Sequence, residues 1–152
     1  MKLYLVRHGD SSLSARTDNE RELSEKGELE VQQIANLILP LDLPISTIWH
    51  SEKRRAEQTA NILSGTFPKA TLQCTSDLAP MASLNPILDK IYTSPDDLLL
   101  VGHMPFMGRL VSKLIVGEED ENIVNFGTGC IVCLERVVTH YWAINWMLRP
   151  NI

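Results

Sequence analysis

The sequence predicts an α/β fold, a three-layer α/β/α sandwich around a mostly parallel mixed sheet. Three observations lead there. Short β-branched or apolar runs alternate with stretches whose apolar residues recur at helical spacing. One run, "LLLVGH" (98–103), is continuously apolar up to its glycine, the pattern of a strand buried on both faces. The tail then changes character: "GCIVCLE" and "HYWAINWML" read as two strands joined by a short turn. Alternation closed by a hairpin means a mixed sheet with helices on its faces. With no repeat or linker in 152 residues, one domain spanning 1–152 is expected.

The elements follow in order. "KLYLVRHGD" opens with a strand, Leu3 to Val6, that runs into Arg7, His8 and Gly9. A polar loop fills 10–23. Ser24 reads as the N-cap of the first helix, with Glu25 and Glu28 near the positive end of its dipole. Val31, Ile34, Ala35 and Ile38 form the apolar stripe of that helix, and Pro40 and Pro44 end it. "ISTIWHS" (45–51) is the second strand, after which Ser51 is placed to cap a helix striped by Ala56, Thr59, Ala60 and Leu63. "ATLQC" (70–74) is a weaker strand, and Leu84, Ile87, Leu88 and Ile91 mark another helix. Pro105 falls where the first turn of a helix tolerates proline, ahead of the stripe Met107, Leu110, Val111, Leu114. In the last strand Trp142, Ile144 and Trp146 stand at two-residue intervals, which predicts one packed sheet face carrying all three.

Composition narrows the function classes. A net charge of -5 disfavours nucleic acid and anionic membranes as partners, since both want a basic surface. No run approaches the ~20 apolar residues of a membrane span, and Arg7-His8 interrupts the N-terminal run before it could serve as a signal peptide. A cytoplasmic protein is expected. Free thiols at Cys74, Cys130 and Cys133 suit a reducing compartment. Cys130 and Cys133 spell C-x-x-C, yet three residues apart on a strand they face opposite ways, and no further zinc ligands come at matching spacing.

Ligands of parallel sheets sit outside the carboxyl ends of the strands. Here one such end carries Arg7-His8, a second His50-Ser51 with Arg54 and Arg55 just beyond, and a third Gly102-His103. Arginines and histidines gathered at one edge make an anion site. Guanidinium forks match phosphate oxygens bidentately, and a carboxylate substrate could use the same donors. Metal ligation suits the histidines poorly, because neighbouring arginines repel a cation. An imidazole among cations stays neutral, so its lone pair can attack phosphorus and form a phosphohistidine. Phosphoryl transfer then asks mainly for alignment and charge neutralisation.

These residues resemble the motifs of the histidine phosphatase superfamily, also called phosphoglycerate mutase-like. "LVRHGD" is similar to its R-H-G signature and "LSEKG" (23–27) to its L-[ST]-x-x-G element. "SEKRRAEQTA" (51–60) is similar to S-x-x-x-R-A-x-Q-T-A, and "VGHMP" (101–105) to the second-histidine motif G-H-x-P. The motifs come in family order and cover residue 3 to about 116. The resemblance implies a phosphoglycerate mutase-like fold, His8 as nucleophile and phosphoryl carrier, and Arg7, Arg55 and His103 as phosphate ligands. It implies no cofactor and no metal.

Within the superfamily the chain resembles SixA-type phosphohistidine phosphatases: "RHGD", a short chain, Arg21 two residues before "LS", and a W-x-x-x-P-like end from Trp146 to Pro150. That implies substrate binding by Arg21. It also implies partners that carry phosphohistidine, such as histidine phosphotransfer domains or phosphotransferase-system carriers, in signal transduction. One departure is informative. Many members supply a glutamate general acid after the third strand, where this chain has "DLAPM" (77–81) with Pro80 in that place. An alkoxide leaving group needs a proton donor, whereas imidazole, with a conjugate acid near ~6.5, needs one far less. Asp77, Asp18 and Glu22 stay open as donors. A low-specificity small-molecule phosphomonoesterase and an inactive phosphoprotein-binding module are the competing functions.

Overall fold

The computed structural model describes residues 1–150. Six strands form one sheet: β1 (Lys2–Arg7), β2 (Thr47–His50), β3 (Thr71–Cys74), β4 (Leu98–Gly102), β5 (Ile131–Val138) and β6 (Tyr141–Leu148), in the order β3-β2-β4-β1-β5-β6. The first four run parallel, while β5 lies antiparallel to β1 and makes a hairpin with β6. Four helices connect them: α1 (Glu25–Ile38), α2 (Arg54–Ser64), α3 (Asn85–Thr93) and α4 (Phe106–Val116). This is the expected α/β sandwich.

The period of two along the strands creates the layers. Leu3, Leu5, Leu98 and Leu100 face one way and pack with Ile87 and Ile91 of α3 and Leu110, Val111 and Leu114 of α4. Tyr4, Val6, Leu99 and Val101 face the other way, against Val31, Ile34 and Ile38 of α1 and Ala56, Ala60 and Leu63 of α2. Every residue of β4 is buried, as its unbroken apolar run predicts. Cys130 and Cys133 fall into opposite cores, and both are free thiols. Among the described residues no helix is long and apolar enough to cross a membrane.

Local chemistry explains most boundaries. Ser24 caps α1, its Oγ accepting from the Gly27 N–H at 3.0 Å, and a 3-10 turn at Leu39–Leu41 containing Pro40 follows the helix. Pro105 sits one position earlier than expected, in the N-cap place of α4. Two expectations fail. Ser51 does not cap α2, which begins at Arg54 after Lys53, with no side-chain cap. The three apolar residues of β6 do not share a face. Between Cys133↔Trp146 and Leu134↔Ile144 the register shifts, leaving Asn145 as the extra residue of a bulge. A bulge reverses the alternation, so Trp142 joins the α3/α4 core, Trp146 packs on the other, and Ile144 is exposed.

Candidate active site

The parallel strands deliver their carboxyl ends to one edge, and a cavity of about 370 Å³ opens there. Arg7, His8, Arg55, His103 and Arg21 all line it. The two imidazole rings lie 5.0 Å apart, centroid to centroid, at 52°. Arg7 ends β1 and His8 follows it, His103 comes directly after the adjacent β4, and Arg55 lies on the first turn of α2, which follows β2. His50, at the end of β2, is buried but outside the cavity lining, its Nδ1 bonded to the Ser51 carbonyl at 2.9 Å. Arg54 is exposed and pairs with Glu22 at 2.6 Å.

Why the motifs have their spacing becomes visible at the loops. The Gly9 N–H donates to Thr59 Oγ1 at 3.0 Å, and Thr59 in turn donates to the Arg55 carbonyl at 2.8 Å. The first loop is thereby tied to α2. The Leu23 N–H donates to Gln58 Oε1 at 2.7 Å, tying the same helix to the start of α1. A Cβ on Gly27 would lie 2.0 Å from the Asp10 carbonyl oxygen, so only glycine lets α1 approach that closely. Residues distant in sequence are thus parts of one scaffold under His8.

His8 is held in one tautomer. Its Nδ1 lies 2.7 Å from the Gly9 carbonyl, which can only accept, so Nδ1 carries the proton and Nε2 keeps a lone pair. Burial, more than any neighbour, pushes the His8 pKa down to about 4, and Arg55, Arg7 and Arg21 push the same way. The cations expected to keep the ring neutral contribute less than the loss of water. His103 is lowered to about 3, again first by burial and then by His8 and Arg55. Both rings are neutral at pH 7.

The donors are partly committed. Arg7 Nη1 donates to the Phe126 carbonyl at 2.7 Å, and Arg55 Nη1 to the Asp18 carbonyl at 2.8 Å. Arg21 is pinned by Ser11 Oγ at 2.8 Å and the Ser12 carbonyl at 3.0 Å. Arg7 Nε, Arg55 Nε and His103 Nδ1 are buried without a hydrogen-bond partner among the described residues, a costly state for a donor. All three of these residues line the cavity beside the neutral His8 ring.

Ser51, expected as a helix cap, serves this site instead. It is 1% exposed, and its Oγ lies 2.5 Å from His103 Nε2 while accepting the Lys53 N–H at 3.3 Å. With that N–H on its oxygen, the hydroxyl is free to direct its own proton at Nε2, which leaves Nδ1–H of His103 as the unpartnered donor. Ser51 opens the S-x-x-x-R-A motif, so the signal was present but read as a cap. Thr128 also lines the cavity. It precedes β5, which is antiparallel to β1 and therefore starts where β1 ends; the carboxyl-end rule needs that extension to find it. Asp10, Ser11, Pro80 and Met104 complete the lining.

None of the open proton-donor candidates is poised as an acid. Asp18 is bound by Lys53 Nζ and by Arg55 Nη2 at 3.3 Å, and hydrogen bonding to Lys53 holds its pKa far below the usual carboxylate range. Asp77 pairs with Lys90 at 3.6 Å, away from the cavity lining, and Glu22 is the partner of Arg54.

A family model described as the histidine phosphatase superfamily, branch 1, matches residues 3–83. The chain belongs to that superfamily. An uncharacterised protein of Picosynechococcus sp. is 33% identical over 129 residues, covering 81% of this chain and 78% of its own. The phosphohistidine phosphatase SixA of Escherichia coli K12 is 24% identical over 155 residues, covering 99% of this chain and 94% of its own. Among solved structures, a protein histidine phosphatase SixA complexed with tungstate superposes with a TM-score of 0.86 at 24% identity, covering 99% of this chain and 97% of that one. A putative alpha-ribazole-5'-P phosphatase from Escherichia coli superposes at 0.81 with 14% identity, covering 100% and 98%. The fold is thus SixA-like, and the chain is an enzyme of this phosphatase superfamily. His103 lies beyond the segment matched by the family model, yet the β1–β4 pairing brings it beside His8.

Proposed function

We propose that this enzyme is a protein phosphohistidine phosphatase, acting in the cytoplasm on histidine phosphotransfer domains or phosphotransferase-system carriers through a phospho-His8 intermediate. The observation that carries the reading is that Arg7, Arg55 and His103, each with a buried nitrogen that has no partner among the described residues, line one cavity with His8, whose imidazole is uncharged.

In the first step the His8 Nε2 lone pair forms a bond to phosphorus as the substrate N–P bond breaks, its electron pair staying on the departing nitrogen. Arg7, Arg55 and His103 hold the phosphoryl oxygens, and Arg21 the outer part of the substrate. The Gly9 carbonyl, already accepting from Nδ1, stabilises the charge that His8 gains on phosphorylation. In the second step water attacks phosphorus, the N–P pair returns to Nε2, and dihydrogen phosphate leaves. No external cofactor enters this balance.

Phosphohistidine is favoured over an alkyl phosphate by its leaving group. Pro80 lines the cavity where an acid-using relative would have its glutamate, and Asp18, Asp77 and Glu22 are engaged elsewhere. Imidazole departs without a dedicated donor, whereas an alkoxide does not. The decisive assay compares a panel of phosphorylated phosphotransfer domains with sugar phosphates. Acid-labile, alkali-stable label should accumulate on the wild type and vanish in His8→Ala. Faster turnover of sugar phosphates would make the enzyme a small-molecule phosphomonoesterase, and tight phosphoprotein binding without turnover would make it a binding module.

A further inference from the structure

Amid the cationic lining of the cavity stands one carboxylate, Asp10, for which phosphate has no use. Its oxygens only accept, so they cannot ligate a phosphoryl group. Nor is Asp10 spent on the arginines: Arg7, Arg21 and Arg55 all take other acceptors, and none forms an ion pair with it among the described residues. One oxygen, Oδ2, receives the Ser24 hydroxyl at 2.6 Å, which fixes the side chain against the start of α1. The second oxygen has no hydrogen-bond partner among the described residues, and Asp10 lines the same cavity as His8 and His103. A carboxylate left unpaired next to three arginines, with its rotamer fixed, is placed for a donor that comes with the substrate.

The proposed chemistry needs such a donor. A phosphorylated imidazole leaves as a neutral ring only if its nitrogen distal to phosphorus is protonated. The burial and cations that lower the proton affinity of His8 and His103 act in the same direction on a substrate ring in that cavity. Something must oppose them. We propose that Asp10 is the leaving-group contact, its free carboxylate oxygen accepting the N–H of the substrate imidazole on the nitrogen distal to phosphorus. This rests on the phosphohistidine reading above and adds the residue that makes the site selective for it.

The step balances. The His8–P bond forms and the substrate N–P bond breaks, with its electron pair going to the proximal nitrogen of the substrate ring. The distal proton stays where it is, facing Asp10, and the ring departs neutral. Meanwhile His8, protonated on Nδ1 toward Gly9, takes over the positive charge. Besides Asp10, the ionisable groups that line this space are Arg7 at the end of β1, His8 just after it, Arg21 from the first loop, Arg55 from α2 and His103 after β4. Asp10 is the only anion in that set.

Asp10→Asn tests this, because the amide oxygen can still accept the Ser24 hydroxyl while the charge is gone. The readout is the ratio of kcat/KM on a phosphohistidine-bearing protein to kcat/KM on p-nitrophenyl phosphate, whose leaving group has no N–H. Loss of one charge-assisted hydrogen bond should lower that ratio about tenfold to a hundredfold. Ser24→Ala, which removes the brace and keeps the charge, should lower the melting temperature and leave the ratio within about threefold of wild type, as expected of a helix-cap loss. If Asp10→Asn lowers both activities together, or neither, Asp10 is only a brace for α1 and the inference is wrong. If the wild type itself fails to turn over phosphohistidine, the functional reading falls first, and that result is separate from the behaviour of the variant.

Discussion

Acid should destabilise this protein through His8, and the size of the effect can be worked out. Folded His8 titrates at about 4, chiefly because it is buried, while an unfolded histidine titrates near 6.5. Below pH 6.5 the unfolded chain takes a proton that the folded chain refuses, so stability is full above 6.5, falls as pH drops toward 4, and levels off below. The gap corresponds to about 3 kcal/mol at about 1.4 kcal/mol per tenfold change in proton affinity. At 8% exposed, His8 leaves little room for solvent to screen the effect. His8→Asn is the control, since an amide can still donate to the Gly9 carbonyl yet does not titrate. Urea unfolding of both proteins at intervals from pH 7.5 to 4 would measure it. The wild type should lose about 3 kcal/mol more than the variant over that range. Parallel curves would mean that His8 is not held neutral by the fold, and the account of its nucleophilic state would fail with it.

Further outcomes follow from the same geometry. Gly27→Ala places a Cβ 2.0 Å from the Asp10 carbonyl oxygen, so α1 must move; thermal melts should show a loss of about 1–3 kcal/mol or more, and activity should fall with it. Ser51→Ala deprives His103 Nε2 of its partner at 2.5 Å. It should cost about 1–3 kcal/mol in stability and lower kcat more than it raises KM, as steady-state kinetics would reveal. Arg55→Lys keeps the charge but loses the fork whose Nε has no partner among the described residues. Inorganic phosphate should raise the melting temperature of the wild type clearly more than that of the variant, and equal shifts would remove Arg55 from the oxyanion site.

Much of the architecture was legible because it depends on periodicity. Strand and helix stripes state which residues are buried, and the apolar run at 98–102 states that β4 is central. The site was legible for a related reason. Arg7-His8, Arg55 and His103 stand at or just beyond strand carboxyl ends, and a parallel sheet has only one edge on which to collect them. What escaped was decided by single-residue geometry. Ser51 has the chemistry of a cap, and only its 2.5 Å approach to His103 reveals the other use. The bulge at Asn145 leaves the spacing of Trp142 and Trp146 unchanged while reversing their faces.

By itself, then, the sequence determined the α/β class, the two-sided sheet, and the set of charged residues carried to its active edge, since hydrophobic spacing and chain direction suffice for these. The tertiary structure alone decided the tautomer of His8 and that burial is the main reason it stays neutral, the partners withheld from Arg7, Arg55 and His103, and the isolation of Asp10 among arginines. Those properties depend on burial and on distances of a few tenths of an ångström between groups far apart in the chain. Charge, proton affinity and hydrogen-bond satisfaction are set by such surroundings, and a linear order of residues does not contain them.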